Sequence, residues 1–92
     1  DAGAVIALNK GKSLLARGIV AVEGDFDRGD AVFCLDPEGN RIAKGQVNYP
    51  SADLRRIAGQ HSTDFEAILG FLGDPEVIHR DHMAMITNVE MS

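Results

Sequence analysis

GKSLLARGIVAVEGDFDRGD, residues 11–30, decides how this chain folds: a glycine-punctuated loop runs into an apolar segment and then into an acidic turn. Leu14 and Leu15 are suited to the core, whereas Lys12, Ser13 and Arg17 belong near solvent, so residues 12–18 read as an anchored loop. IVAVE, residues 19–23, is rich in β-formers and too short for a helix, which predicts a strand. The glycines and aspartates of GDFDRGD then turn the chain into AVFCL, residues 31–35, a second strand.

Working outward, Asp1 can cap a short helix carrying Ala4, Val5 and Leu8 at helical spacing, with Gly11 as its stop. On the other side, Asp36, Pro37, Glu38, Gly39 and Asn40 form a turn, since Pro pre-sets one central position and Gly accepts a positive φ. A third strand over residues 41–49 should return antiparallel to the second. Its Ala43, Gly45, Val47 and Tyr49 share one face of mostly small side chains, which suits close approach by neighbouring backbone.

Pro50 ends that strand, and Ser51 or Asp53 opens a helix over ADLRRIA that Gly59 closes. Thr63 and Glu66 have capping-box spacing before a helix with Phe65, Ile68, Leu69 and Leu72 on one stripe, stopped by Gly70 or Gly73. After Asp74 and Pro75, residues 77–79 and 82–86 are β-prone pieces able to close the sheet. Residues 1–86 therefore form one domain and 87–92 a loose tail. Strands in hairpins with helices at both ends make a compact α+β barrel or half-barrel.

Ninety-two residues bury roughly 60–65% of the surface of the unfolded chain, enough for one core. Aromatic residues make up 5% and Trp is absent, so that core is aliphatic. A net charge of −5 weighs against electrostatic binding of nucleic acid, although Lys10, Lys12 and Arg17 form a small basic spot with no acid between them. A single cysteine, Cys34, inside an apolar strand reads as an inert thiol in a reducing, cytoplasmic setting. No apolar run approaches the ~20 residues that span a bilayer. A chain that opens on Asp1 rather than Met reads as part of a longer polypeptide.

Several short motifs fail on spacing. Gly11-Lys12-Ser13 resembles the end of a phosphate-binding loop, but the required glycine five positions earlier is Ile6, and the order is helix to strand. His79-Arg80-Asp81 matches three letters of a kinase catalytic loop, yet the metal-holding Asn five residues later is Ile86. Asp25, Asp27, Asp30 and Asp36 lack the glycine and glutamate positions of a calcium loop and read as a solvated acidic turn. His79 and His82, read as lying along a strand, point to opposite faces and make no shared metal site with Asp81. His61 reads as a surface residue, and no catalytic set emerges from any of these residues.

The strings LNKGKSLLARGIVAVEGDFDRGDAV, AKGQVNYPSADLRRIAGQHS, AILGFLG and EVIHRDHM, in this order, resemble the C-terminal PUA domain of bacterial glutamate 5-kinases. The resemblance covers residues 1–86. It implies an α+β, PUA-like pseudo-barrel of short, mostly antiparallel strands with flanking short helices. It also implies an N-terminal amino-acid kinase domain outside this chain, holding ATP and magnesium and phosphorylating the glutamate side chain in the first step toward proline. No cofactor or catalytic residue is carried onto the chain itself.

PUA modules elsewhere often hold RNA along the glycine loop and the strand after it. The matching positions are Gly11, Lys12, Ser13, Leu14, Leu15, Gly18 and Ile19, with Arg17 beside them. Two roles follow: a regulatory or architectural appendage of a cytoplasmic, homo-oligomeric kinase, partnered by its own kinase domain, or an RNA-binding module. Neither role involves a membrane.

Overall fold

The structure, a computed structural model, describes residues 11–71 and 73–86. The helix expected over the first ten residues, Lys10, Leu72 and the tail at 87–92 lie outside the described residues. Five short strands and two helices are described: β1 (Leu14–Leu15), β2 (Ala31–Leu35), β3 (Arg41–Gln46), α1 (Ser51–Ile57), α2 (Phe65–Leu69), β4 (Glu76–Ile78) and β5 (Met83–Met85).

Alternation along AVFCL sets the larger sheet. Val32 and Cys34 turn inward against the core while Ala31, Phe33 and Leu35 face out, the period of two that a half-buried strand requires. β2 pairs antiparallel with β3, from Ala31↔Gln46 to Cys34↔Ala43, with a register shift before Leu35. Between them Asp36 builds the turn: its Oδ1 accepts from the Glu38 and Asn40 backbone N–H groups at 3.0 and 2.8 Å, and Gly39 takes φ +86°. On the outer face the Arg41 guanidinium lies 4.3 Å from the Phe33 ring centroid, a cation–π contact on an exposed aromatic.

β3 also pairs with β5, giving a three-stranded sheet in the order β2-β3-β5, while β1 pairs with β4 in a separate two-stranded sheet. The expected strand at 77–79 thus lies one residue earlier, at 76–78, and the one at 82–86 is shortened to 83–85, because the 3₁₀ turn Arg80–His82 takes up the chain between them. That turn also corrects the histidine geometry. His79 and His82 stand at its two ends rather than along one strand, and their ring centroids are 5.9 Å apart.

Residues 19–23 are a second correction, for they belong to neither sheet. Their burial breaks the period of two: Ile19 and Val22 pack on the core, while Val20 is 82% exposed. Instead it is Leu14 and Leu15, read as loop, that form a strand. Leu14 packs against the core and Leu15 is exposed.

Val47, Tyr49, Leu54, Ile57, Phe65, Val77, Ile78 and Ala16 are the buried core, where α1, α2 and β4 converge. Burying large apolar side chains such as Phe65, Ile57 and Ile78 stabilises the fold by roughly 1.5–3 kcal/mol each, and the core is thus aliphatic apart from Tyr49 and Phe65. Tyr49 meets Phe65 edge to face at 5.9 Å and donates its hydroxyl to the Asp74 carbonyl. α1 begins at Ser51, whose side chain serves Phe26 rather than its own helix: its Oγ accepts from the Phe26 N–H at 3.1 Å. The capping box at Thr63 and Glu66 does not form. His61 Nδ1 accepts the Thr63 N–H in its place, and α2 stops at Gly70, φ +84°.

Candidate ligand-binding surface

The segment singled out in the sequence, Gly11 to Ile19, is fixed at three points by hydrogen bonds to chain distant in sequence. Ser13 Oγ accepts from the Arg80 N–H at 2.9 Å, tying the glycine loop to the turn after β4. Leu14 and Leu15 pair with Ile78 and Glu76 of β4. The buried Ala16 then enters a 3₁₀ turn, Ala16–Gly18, and its carbonyl accepts both the Ile19 N–H at 3.0 Å and the Gly59 N–H at 2.7 Å. That shared carbonyl clamps the turn to the exit of α1.

All eight candidate positions therefore lie along one continuous edge of the domain, bordered by β4 and the bend after α1. Lys12 and Arg17 are exposed, and neither enters an ion pair among the described residues, in contrast to Arg28 with Asp74 and Arg55 with Asp25. Arg56 is likewise engaged, donating to the Ile68 carbonyl. The positive charges of Lys12 and Arg17 thus stand on the exposed side of this segment. Lys10 lies outside the described residues.

Beside this edge the structure adds residues that the sequence reading gave no role. A pocket of about 170 Å³ opens between the Ala16–Gly18 turn and the bend at residues 60–62, with Gln60, His61 and Ser62 facing Leu15, Ala16 and Arg17. Nothing in the linear order joins Arg17 to His61; the Gly59 N–H to Ala16 carbonyl bond does. A wider cleft of about 810 Å³ runs between residues 18–26 and β2, with Ile19, Val22, Phe26 and Val32 among its apolar walls.

Chemically reactive groups are few on these surfaces. Burial pushes the Cys34 thiol up to about 11, so thiolate is scarce at neutral pH. Tyr49 is also raised, by burial first and then by the charge of Asp74. Asp36 is lowered, chiefly by the Asn40 N–H it accepts. Thr63 Oγ1 lies 3.1 Å from His61 Nδ1, but the same nitrogen accepts the Thr63 amide, so this exposed pair caps a turn. Among the described residues no three His, Cys, Asp or Glu side chains are placed to hold a metal ion. No helix among them is long and apolar enough to cross a membrane.

Comparison with known proteins agrees with this fold. Glutamate 5-kinase of Bordetella petrii is 53% identical over 87 residues, covering 94% of this chain and 23% of that protein. Glutamate 5-kinases of Aromatoleum aromaticum and Rhizobium etli are 51% and 53% identical over 85 residues, each covering 92% of this chain. The chain thus spans under a quarter of the length of these relatives. The crystal structure of a PUA domain from Aeropyrum pernix K1, in complex with tartrate, superposes with a TM-score of 0.59 at 29% identity, covering 84% of this chain and 37% of that one. Residues 1–69 match the PUA domain family, and with the α+β pairing of two small antiparallel sheets, the chain belongs to that family.

Proposed function

We propose that this chain is the non-catalytic regulatory or architectural PUA domain of a cytoplasmic glutamate 5-kinase. The observation that carries the reading is the identity of about one residue in two to glutamate 5-kinases along more than nine-tenths of the chain, confined to under a quarter of their length. In this reading the catalytic work belongs to an N-terminal amino-acid kinase domain outside the chain. That domain binds ATP and magnesium and transfers the γ-phosphoryl group to the side-chain carboxylate of glutamate. The present domain packs on it, or on a sister subunit of a homo-oligomer, and modulates its response.

Two measurements test this. The 92-residue chain incubated with ATP, magnesium and glutamate should release no ADP above a blank. The parent kinase lacking this domain should keep phosphotransfer but change its inhibition profile or its oligomeric state. Turnover by the isolated chain, or a truncated kinase indistinguishable from the whole, overturns the reading.

A second reading, RNA binding along Gly11 to Ile19, is favoured by one observation: Lys12 and Arg17 are exposed on that edge with no ion-pair partner among the described residues. A phosphate reader loses affinity as salt rises, and loses more when Lys12 becomes Ala. Tight, salt-sensitive RNA binding would displace the regulatory reading.

A further inference from the structure

We propose that the pocket between the Ala16–Gly18 turn and residues 60–62 is a binding site for a small aliphatic carboxylate of amino-acid size. Each polar residue that lines it among the described residues, Arg17, Gln60, His61 and Ser62, carries a donor. Arg17 offers a planar guanidinium, the group best matched to a carboxylate through two parallel N–H bonds, and it has no carboxylate partner among the described residues. His61 contributes a donor whose identity the local geometry fixes. Its Nδ1 accepts the Thr63 N–H, so the ring hydrogen of the neutral imidazole sits on Nε2. Gln60 and Ser62 add an amide and a hydroxyl.

Among the described residues no Asp or Glu lines the pocket, although acids outnumber bases by 14 to 9 in the chain. Of the described lining residues, then, an anion meets one cation and several donors and no carboxylate. The opposite wall is apolar, from Leu15, Ala16 and Pro75, and suits a short methylene chain better than a bare inorganic ion. The volume of about 170 Å³ matches a small organic acid in scale. The walls are also held in place before any ligand arrives. The Ala16 carbonyl, by accepting the Gly59 N–H at 2.7 Å, fixes the spacing between the turn that bears Arg17 and the bend that bears Gln60 and His61.

This inference goes beyond the regulatory reading and is tested without reference to kinase activity. The 92-residue chain, labelled with ¹⁵N, is titrated with L-glutamate, with succinate and with inorganic phosphate while amide shifts are recorded. The expected result is saturable movement of the Arg17, Gln60, His61 and Ser62 amides with the carboxylates, and weaker binding of phosphate. Arg17→Gln should weaken carboxylate binding about tenfold or more, Arg17→Lys should fall between, and Arg80→Gln should stay within about twofold of the parent. Arg17 is exposed, so its variants keep the fold, and the unshifted amides of the core verify that. Shifts that never saturate, shifts centred elsewhere, phosphate binding as well as the carboxylates, or an Arg17→Gln chain with unchanged affinity would each overturn the proposal. Any of those results would leave the regulatory reading, tested on the parent kinase, where it was.

Discussion

Gly45 sits so close to Ile78 that a Cβ added at residue 45 would lie 2.7 Å from Ile78 Cγ2 and 2.8 Å from the His82 carbonyl oxygen. The second contact decides the consequence. The Ile78 methyl belongs to a side chain, but the His82 carbonyl is backbone at the entrance to β5, and β5 pairs with β3 through Gly45↔Met83. Ile78 is itself fully buried. Gly45→Ala should therefore cost about 1–3 kcal/mol, the usual range for overpacking, and lower the thermal midpoint accordingly. A variant as stable as the parent would show that β5 is not seated against Gly45.

Ser51 joins the acidic loop to the first helix. Its Oγ accepts the Phe26 N–H at 3.1 Å and donates to the Phe26 carbonyl at 3.3 Å, and the residue is only 5% exposed. Ser51→Ala leaves a part-buried N–H without its acceptor, which costs roughly 1–3 kcal/mol. Urea denaturation should record that loss. Hydrogen exchange at the Phe26 amide should rise more than exchange at α2, because the bond lost is local to the loop. Equal acceleration everywhere would mean that Ser51 acts only through global stability.

These two residues also mark what the sequence could and could not reveal. Gly45 was readable: a glycine on a face shared with Ala43, Val47 and Tyr49 announces a close neighbour, although not which one. The turn at Gly39 was readable for the same reason, since a positive φ favours one residue type, and the helix stop was narrowed to Gly70 or Gly73, of which Gly70 serves. Ser51 was readable as a helix start but not as a partner of Phe26, for a serine before a helix suggests its own cap first.

Strand formation by residues 19–23 was overestimated because β propensity records side-chain preference and not the availability of a ladder partner. Leu14 and Leu15 became a strand because β4 lies alongside, a fact fixed by tertiary structure. The 11–19 edge was visible through family resemblance. Its pocket was not, because Arg17 and His61 meet only through the bond from Gly59 to Ala16.

Asp36 organises the β2–β3 turn through its carboxylate, accepting the Asn40 and Glu38 N–H groups and the Asn40 side-chain amide at 3.1 Å. Those donors, Asn40 foremost, hold its pKa below the ordinary carboxylate value. For a lowered acid the stabilisation is complete above the unfolded pKa and disappears as pH falls through the folded one. The Asn40 amide should therefore exchange faster as pH is lowered through the acid range, once the intrinsic pH dependence of exchange is subtracted. Asp36→Asn retains one acceptor oxygen and should flatten that dependence while keeping the turn. Asp36→Ala should loosen the turn at every pH.

Cys34 sets the alkaline limit. Its thiol is raised from 9.0 to about 11 by burial between β3 and the core, so the folded state resists forming the thiolate. The sign follows from linkage. Stability is complete below the unfolded pKa and is lost as pH climbs toward the folded one, over a window from about 9 to 11. Two pH units correspond to ~2–3 kcal/mol at most, and Tyr49, also raised, adds loss in the same direction. Urea midpoints should thus drop between pH 8 and pH 10.5. Cys34→Ala isolates the thiol: it should be less stable than the parent at pH 8, from the small cavity it leaves, yet lose less on going alkaline. At pH 8 the native thiol should react with iodoacetamide about a hundredfold more slowly than in urea, because its thiolate fraction is lower by that factor. Fast labelling of the folded chain would mean that Cys34 is open to solvent, and the side of β2 facing the core would then have to be reassigned.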